Sequence, residues 1–417
     1  MEFKNVQRPL RRVSSDINND AKAFTFRNML DFTNTNELLK IMYTITNDGE
    51  IVSTGEISDT NVLDIPPHTE KTIELDYVLP STGKCYIKFD YIQTVNKPFT
   101  KVGFNLGFDQ VTLKLDICKP VSQYETMANN SSGDITCTED EQYITLQSAD
   151  FSYIYNKLSA TFDKLSYKNQ SLIDAPMTYN IWRAPTDNDR IIKQKWINAG
   201  YDRTIVRAYD TTVTKADNSI VITTNFSIGA IYIQRIITGA STWTITPDGT
   251  ISLSTNCKRD TIMPFLPRFG LCLSLPNDMN EISYLGYGPN ESYVDKHQSS
   301  FIGKFDTTVT NLHEDYLRPQ ENGSHYNCDY VTASNNFVSL TAYSKDTLSF
   351  NASKYEVKEL ETKAHNYELI PSGHTLLHID YIQSGIGSGS CGPQLDPKYQ
   401  LNTPEFDFRF SIKPAIK

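Results

Sequence analysis

Short segments in which apolar and polar residues alternate dominate the chain. Every second position is apolar in residues 85–91, and the same holds for residues 406–412. Residues 242–246 and 250–253 are two further apolar-alternating segments, separated by the turn sequence Pro247-Asp248-Gly249. A period of two, broken by turn residues, is typical of half-buried strands in antiparallel sheets. The pattern therefore predicts an all-β protein.

Helical periodicity is scarce. Its best candidate is residues 193–199, closed by Gly200 as a carboxyl-terminal cap. The polar stretch Pro120–Asp134 interrupts the strand pattern and predicts a linker. We therefore expect an immunoglobulin-like β-sandwich over residues 1–115, a linker over 116–133, and a large antiparallel β-sandwich over 134–417.

Charge and cysteine usage narrow the possible partners. The 417 residues carry a formal net charge of −10 and contain no basic run interleaved with aromatic residues, which argues against nucleic acid as a partner. No stretch of about eighteen apolar residues predicts a membrane span, and the start of the chain does not resemble a secretory signal. The seven cysteines are scattered singly, so we expect free thiols in a reducing, cytoplasmic compartment.

Familiar catalytic motifs are absent from the sequence. It has no phosphate-binding GxxxxGK[ST] loop, no GxSxG nucleophile elbow and no HExxH zinc helix. His374 and His378 are four residues apart, but their surroundings predict a strand, on which the two rings would lie about 13 Å apart. We therefore expect no metal site.

Three clusters rich in turn residues stand out instead, namely residues 182–190 (WRAPTDNDR), 284–293 (YLGYGPNESY, followed by Asp295 and His297) and 385–393 (GIGSGSCGP). The first joins an aromatic residue to carboxylates and an amide, groups that suit sugar hydroxyls. It is equally typical of a strand end with an Asx-stabilised turn. The glycine density of the third predicts an exposed, shaped loop.

Taken in order, these clusters resemble the carboxyl-terminal region of the large bacterial β-galactosidases of glycoside hydrolase family 2. Residues 267–270 (PRFG) and 318–323 (RPQENG) add to the resemblance, and residues 28–113 look like the immunoglobulin-like domain that follows the catalytic barrel in that family. The resemblance extends from about residue 4 to about residue 414. It implies that the large sandwich is similar to that of galactose mutarotases.

The resemblance also implies a non-catalytic role, because both catalytic glutamates of the family lie on a (β/α)8 barrel that precedes this region. The chain is expected to brace that barrel, complete a β-galactoside pocket and contribute oligomer contacts, and to be inactive alone. Any Mg²⁺ or Na⁺ of the parent enzyme is expected in the barrel-bearing part, with no cofactor in this chain. The residues that the resemblance places beside the substrate are Asp187, Asn188, Asp189, Arg190, Ile191, Ser390 and Cys391.

Two other functions stay open at this point. A free-standing carbohydrate-binding module could use an open sheet face. A mutarotase-like epimerase would need a His acid and a Glu base on one face, for which His297 with Glu291 and His325 with Glu321 are the nearest pairs. Asn290-Glu291 also resembles the step that carries the acid/base glutamate of family barrels, but its neighbours match the non-catalytic motif, which favours a bracing carboxylate.

Overall fold

The computed structural model describes residues 1–13, 22–216 and 218–417. The chain divides into two compact units. The smaller unit contains Met1–Ser122 and His297–Lys304, and the larger contains Gln123–Lys296 and Phe305–Lys417. Both units consist mainly of antiparallel strands, so the predicted all-β class is confirmed.

The smaller unit is a β-sandwich. Its elements are α1 (Glu2–Val6), β1 (Leu10–Arg12), β2 (Ala23–Asn28), β3 (Leu39–Asn47), β4 (Glu50–Ile57), β5 (Glu70–Glu74), β6 (Cys85–Gln93) and β7 (Asn105–Lys114). One sheet has the order β1-β2-β5 and the other β4-β3-β6-β7. Phe24 and Phe26 of the first sheet meet Phe89 of the second edge to face, at centroid distances of 5.0 and 5.1 Å. Aromatic pairs of this geometry close the core of the immunoglobulin-like sandwich.

A segment distant in sequence completes the smaller unit. The Gln110 side chain donates to the Ile302 carbonyl at 2.7 Å and accepts from the Ile302 amide at 2.8 Å. Phe108 meets Phe301 edge to face at 5.7 Å. The smaller unit therefore combines the amino-terminal part of the chain with a short segment almost two hundred residues further on.

The stretch predicted as a linker contains a helix. α2 runs over Lys119–Asn129, with Pro120 in its first turn, where a missing N–H costs nothing. Val121 and Ala128 are buried and Tyr124 is half-buried, at the i, i+3, i+7 spacing of a helical stripe. That stripe was present in the sequence, but the surrounding Asn, Ser and Gln residues obscured it.

The larger unit holds the remaining elements. They are β8 (Thr136–Glu139), β9 (Tyr143–Gln147), β10 (Phe151–Asn156), β11 (Thr161–Tyr167), β12 (Gln170–Ser171), β13 (Ala175–Asn180), α3 (Ile192–Asn198), β14 (Ile205–Ala216), β15 (Ser219–Gly229), β16 (Ile237–Ile245), β17 (Ile251–Arg259), β18 (Arg268–Pro276), β19 (Glu281–Gly288), β20 (Phe301–Thr308, its first four residues in the smaller unit), α4 (Val309–Leu312), β21 (Ser324–Ser334), β22 (Val338–Ser353), α5 (Val357–Thr362), β23 (His374–Gln383) and β24 (Glu405–Ile416).

Two layers of the larger unit enclose its core. A sheet with the order β12-β11-β10-β9-β8 packs on a long sheet with the order β13-β18-β23-β22-β24-β17-β16-β15-β14, to which β19, β20 and β21 are attached. Phe162 of the short sheet meets Trp243 of the long one edge to face at 5.2 Å. The predicted large antiparallel sandwich is confirmed.

Local predictions in this unit also agree with the structure. β16 and β17 flank the predicted Pro247-Asp248-Gly249 turn, and alternate residues of β24 are buried from Phe406 to Ile412. α3 covers the predicted helical segment. Gly200 directly follows the cap residue Ala199 and has φ +78°. Glycine suits this position because it adopts the left-handed conformation at little cost.

Candidate functional site

Two loops of the larger unit form the candidate site. The acidic loop (residues 186–191) leads from β13 into α3 and contains a 3-10 turn over Asp187–Asp189. The glycine loop (residues 385–393) follows β23. Trp182, which precedes the acidic loop, and Trp196, which follows it, meet edge to face at 6.2 Å and are buried. Packed residues of the sandwich therefore flank the acidic loop on both sides.

A single buried arginine connects the two loops. The Arg183 Nε and Nη2 atoms donate to the two carboxylate oxygens of Asp189 at 3.1 and 2.8 Å. Nη1 donates to the Ser384 carbonyl at 2.5 Å, and Nη2 also donates to the Gly385 carbonyl at 3.1 Å. The planar guanidinium suits this task, because it presents several donors in a fixed geometry.

Further contacts join the loops nearer their tips. The Asn188 side-chain amide donates to the Ile386 carbonyl, and Arg190 Nη2 donates to the Ser390 carbonyl at 2.5 Å. Gly389 has φ +107°, and a Cβ there would lie 2.7 Å from the Asn188 carbonyl oxygen. Only glycine permits this approach without a backbone shift, so the glycine loop is shaped to lie against the acidic loop.

Asp295 holds the base of the glycine loop from another side. Its Oδ1 accepts from the Ile386 amide at 3.0 Å and its Oδ2 accepts from the Gly387 amide at 2.8 Å. One carboxylate thus satisfies two successive backbone donors, an arrangement typical of anchored loops.

The structure separates the sequence-predicted site residues by exposure. Asp187, Arg190 and Cys391 are exposed, as is Ile191, while Asn188 and Ser390 are half-buried. Asp189 is buried against Arg183 and also accepts from the Thr186 amide at 3.0 Å. Both carboxylate oxygens of Asp189 therefore accept hydrogen bonds that hold the loop.

Sequence reasoning missed Arg183 and Asp295 as members of the site. The available signal for Arg183 was a charged residue in the otherwise apolar run Ile181-Trp182-Arg183-Ala184-Pro185. A charge in such a run must find a partner when it is buried. Asp295 gave no comparable signal, since its partners are backbone amides about ninety residues away.

The crevice between the two loops is small. It has a volume of about 60 Å³ and is lined by Asp189, Ile192, Phe265, Gly389 and Gln400, among others. Sites that enclose a drug-sized ligand have volumes of roughly 300–1,000 Å³. This crevice has room for a few water molecules but not for a sugar.

Two carboxylates and an arginine form a cluster in the protein interior. Arg268 pairs with Asp380 and, at 3.3 Å, with Glu321, and all three side chains are at most 3% exposed. Burial opposes the charge on Arg268, but the two carboxylates raise its pKa above the usual value, and burial raises the pKa of Glu321. The cluster is structural, since no substrate reaches it.

Glu291 is likewise occupied. It accepts from the Gly323 amide at 2.9 Å and contacts the Lys296 ammonium and the Tyr316 hydroxyl. Burial, followed by the bond to Glu291, raises the pKa of Tyr316 to about 12. These contacts are those of the bracing carboxylate that the sequence favoured.

The His325–Glu321 pair considered for an epimerase is buried and lacks access to a sugar. His325 is 1% exposed, lies between Tyr284 and Phe350, and has Nδ1 2.9 Å from the Tyr287 carbonyl. Burial lowers its pKa to about 4. His325 is therefore a neutral core residue, and its intended partner Glu321 belongs to the Arg268 cluster.

The described residues contain neither a metal-binding cluster nor a helix suited to cross a membrane. Within residues 1–13, 22–216 and 218–417, no three or more His, Cys, Asp or Glu side chains are grouped so as to hold a metal ion. Over the same ranges, none of the helices combines the length and apolar character that a bilayer crossing needs. The seven cysteines are free thiols, and Cys391 is the exposed one.

Comparison with known proteins gives a consistent result. Residues 147–412 match the family described as "Beta galactosidase small chain", and residues 24–114 match "Beta-galactosidase, domain 4". The β-galactosidase of Actinobacillus pleuropneumoniae is 36% identical over 99% of this chain and 39% of its own length. That of Staphylococcus xylosus is 33% identical over 99% of this chain and 40% of its own length.

The chain therefore belongs to the β-galactosidase small-chain family, and the resemblance seen in the sequence is confirmed. It spans about two fifths of the length of the curated relatives it matches. A galactose 1-epimerase from Lactobacillus acidophilus NCFM aligns over 68% of this chain and 99% of its own, with 8% identity and a TM-score of 0.38. That likeness is too distant to support an argument about function.

Proposed function

We propose that this chain is the non-catalytic carboxyl-terminal portion of a β-galactosidase. It braces a barrel-bearing chain or domain, completes the galactoside pocket and contributes oligomer contacts. The parent reaction is hydrolysis of terminal β-galactosides in the cytoplasm. The match to about two fifths of relatives named β-galactosidase supports this assignment, with any Mg²⁺ or Na⁺ assigned to the barrel-bearing part.

The observation that carries the proposal is the fixed pair of loops. Three side chains donate to carbonyls of the glycine loop. Arg183 donates to Gly385, Asn188 to Ile386, and Arg190 to Ser390. Side chains on such a surface are preorganised, and preorganised groups lose less entropy when a ligand binds. We assign substrate contact to Asp187, Asn188, Arg190, Ser390 and Cys391, and the holding role to Asp189.

Hydrolysis is assigned to the partner because its geometry has specific requirements. Retaining glycosidases place two carboxyl groups about 5–5.5 Å apart on either side of the scissile bond. In this chain Glu321 and Asp380 share a buried arginine, and Glu291 accepts from four donors, those of Tyr293, Lys296, Tyr316 and Gly323. The chain therefore contributes positioning, while the barrel contributes the acid/base and the nucleophile.

The test compares this chain with and without a barrel. A chromogenic β-galactoside is assayed with the chain alone, and again after addition of a barrel-bearing chain that lacks this region. We expect turnover only in the mixture. Turnover by this chain alone would overturn the proposal, as would a mixture no more active than the barrel chain by itself.

Variants test whether the loop pair matters to the substrate. Arg183→Met should lower kcat/KM of the mixture by on the order of 10²-fold, because small misplacements of positioning groups have large effects. Lys258→Gln is the matched control, since Lys258 is 69% exposed and pairs with Glu405. Asn188→Ala removes one loop contact from a half-buried position and should raise KM with an unchanged melting temperature, so a folding defect is separated from a binding defect.

A specific observation keeps a sugar-binding module as the second candidate. Thr242, Ser254, Ser411 and other hydroxyl side chains of the long sheet line an open groove of about 450 Å³, together with Arg409. Hydroxyl and guanidinium groups suit sugar hydroxyls. Calorimetry of this chain with galactose and lactose tests it: saturable binding lost in Arg409→Gln would favour the module, and no heat with either sugar would exclude it.

A further inference from the structure

A second cavity lies on the outer side of the acidic loop. It has a volume of about 160 Å³ and is lined by Thr186, Asp187, Arg190, Lys193, Arg318 and Gln320, with Pro185 and Pro319 as rigid neighbours. A water molecule occupies about 30 Å³ of liquid. The cavity therefore has room for a small polyatomic ion with part of its hydration shell.

The charge of this cavity is opposite to that of the chain. Arg190, Lys193 and Arg318, here called the rim cations, face a single carboxylate, that of Asp187, whereas the whole chain has a net charge of −10. A local cluster of one sign in a concave surface focuses the field and attracts counter-ions. The cavity is thus electropositive in an acidic protein.

The rim cations are not neutralised by the protein. Among the described residues, neither Lys193 nor Arg318 forms an ion pair, and Arg190 donates to the Ser390 carbonyl. Other surface cations of the larger unit do pair with acids, for example Lys258 with Glu405 at 3.1 Å. Three cations line one cavity, and none of them has a carboxylate partner among the described residues. This arrangement indicates a site for an external anion.

Gln320 offers a further hydrogen-bond donor to the cavity. The Asp187 amide donates to Gln320 Oε1 at 2.9 Å, so the group that Gln320 retains for a ligand is its Nε2 amide. Two guanidinium groups, an ammonium and an amide all donate hydrogen bonds. Guanidinium forks match the oxygens of phosphate-like groups in pairs.

We propose that this cavity binds a tetrahedral oxyanion, a phosphate or sulfate group, either free or as a monoester on a sugar. The site goes beyond the galactosidase assignment, because all its side chains belong to this chain and it requires no barrel. The acidic loop would then bear a sugar-facing tip and an anion-binding outer side.

The test is calorimetric titration of the full chain at constant ionic strength. Inorganic phosphate, sulfate and galactose 6-phosphate are the probes, and galactose is the uncharged control. We expect saturable binding of the anions. The double variant Lys193→Gln/Arg318→Gln should raise the Kd of the anions by about tenfold or more, since each lost charge-assisted hydrogen bond has an effect of that order.

The double variant Arg203→Gln/Lys258→Gln is the matched control, because it removes the same charge from exposed positions elsewhere in the larger unit. It should bind the anions as the unaltered chain does. Tighter binding of galactose 6-phosphate than of inorganic phosphate identifies a sugar monoester as the ligand, and equal binding identifies a free oxyanion.

Two results would overturn the site. One is no saturable binding of any anion, and the other is equal weakening in both double variants, which would indicate only a nonspecific charge effect. Neither result bears on the galactosidase assignment, because that assignment is tested by turnover after addition of a barrel-bearing chain.

Discussion

Two groups of basic side chains differ in their surroundings. The interior arginines are Arg183 and Arg268, and the rim cations are Arg190, Lys193 and Arg318. The interior pair is at most 1% exposed, and each guanidinium meets a carboxylate through two nitrogens. The rim cations line a cavity, and among the described residues none forms an ion pair. Among these five residues, the two buried arginines are paired with carboxylates, and the three that line the cavity are not.

The difference has an energetic cause. A buried charge without a partner costs several kcal/mol, so interior cations survive only with carboxylates and carbonyls around them. A charge at the surface is solvated by water and can exchange that water for a ligand. Residue type alone therefore does not identify a binding residue, whereas pairing and exposure together do.

The largest expected effect concerns Arg268. Arg268→Met leaves Asp380 and Glu321 buried without their cation, and should lower the free energy of unfolding by about 3–5 kcal/mol near pH 8. The loss should shrink toward pH 5, because burial raises the pKa of Glu321 and a protonated carboxyl needs no cation. Urea unfolding at both pH values measures this.

Arg318→Gln is the comparison for that experiment. As an exposed cation without an ion pair among the described residues, it should change stability by less than about 0.5 kcal/mol. If both substitutions had similar effects, the distinction between interior arginines and rim cations would be wrong.

The next effect is a pH dependence of stability from the buried His325. Burial lowers the pKa of His325 to about 4, whereas an unfolded histidine titrates near about 6.5. Between these values the unfolded chain binds a proton that the native chain does not, so stability falls as the pH falls. His325 alone should contribute a loss of about 3 kcal/mol across that window.

His325→Gln isolates this contribution, because glutamine does not titrate and can still donate to the Tyr287 carbonyl. Denaturant unfolding measures the free energy of unfolding between pH 6.5 and 4. Its dependence on pH should be weaker in the variant than in the unaltered chain, by the contribution of about one bound proton. An unchanged slope would show that His325 is protonated in the folded chain.

The smallest effect concerns the anchor of the glycine loop. Asp295→Ala removes the acceptor of the Ile386 and Gly387 amides, and should destabilise the loop locally by about 1–2 kcal/mol. Hydrogen exchange should become roughly tenfold faster at these two amides, with global unfolding little changed. Asp187→Ala, at an exposed carboxylate of the other loop, should leave exchange at both amides unaltered.

Much of the fold was predictable because it depends on local alternation. The strands around residues 85–91 and 406–412, the turn at Pro247-Asp248-Gly249 and the helix before Gly200 each follow from neighbouring residues. The helix over Lys119–Asn129 was missed, because three apolar positions among polar neighbours give a weak signal. The grouping of His297–Lys304 with the smaller unit was missed because it rests on contacts almost two hundred residues apart.

For the site, the sequence by itself determined which residues occupy the acidic and glycine loops, and through their motifs the family to which the chain belongs. Only the tertiary structure decided what each residue does. It buried Asp189 with Arg183, left Arg190 exposed and placed Arg318 beside Lys193. Burial and pairing depend on the approach of distant segments, and the free energy of a charged group is governed by those surroundings, not by its neighbours in sequence.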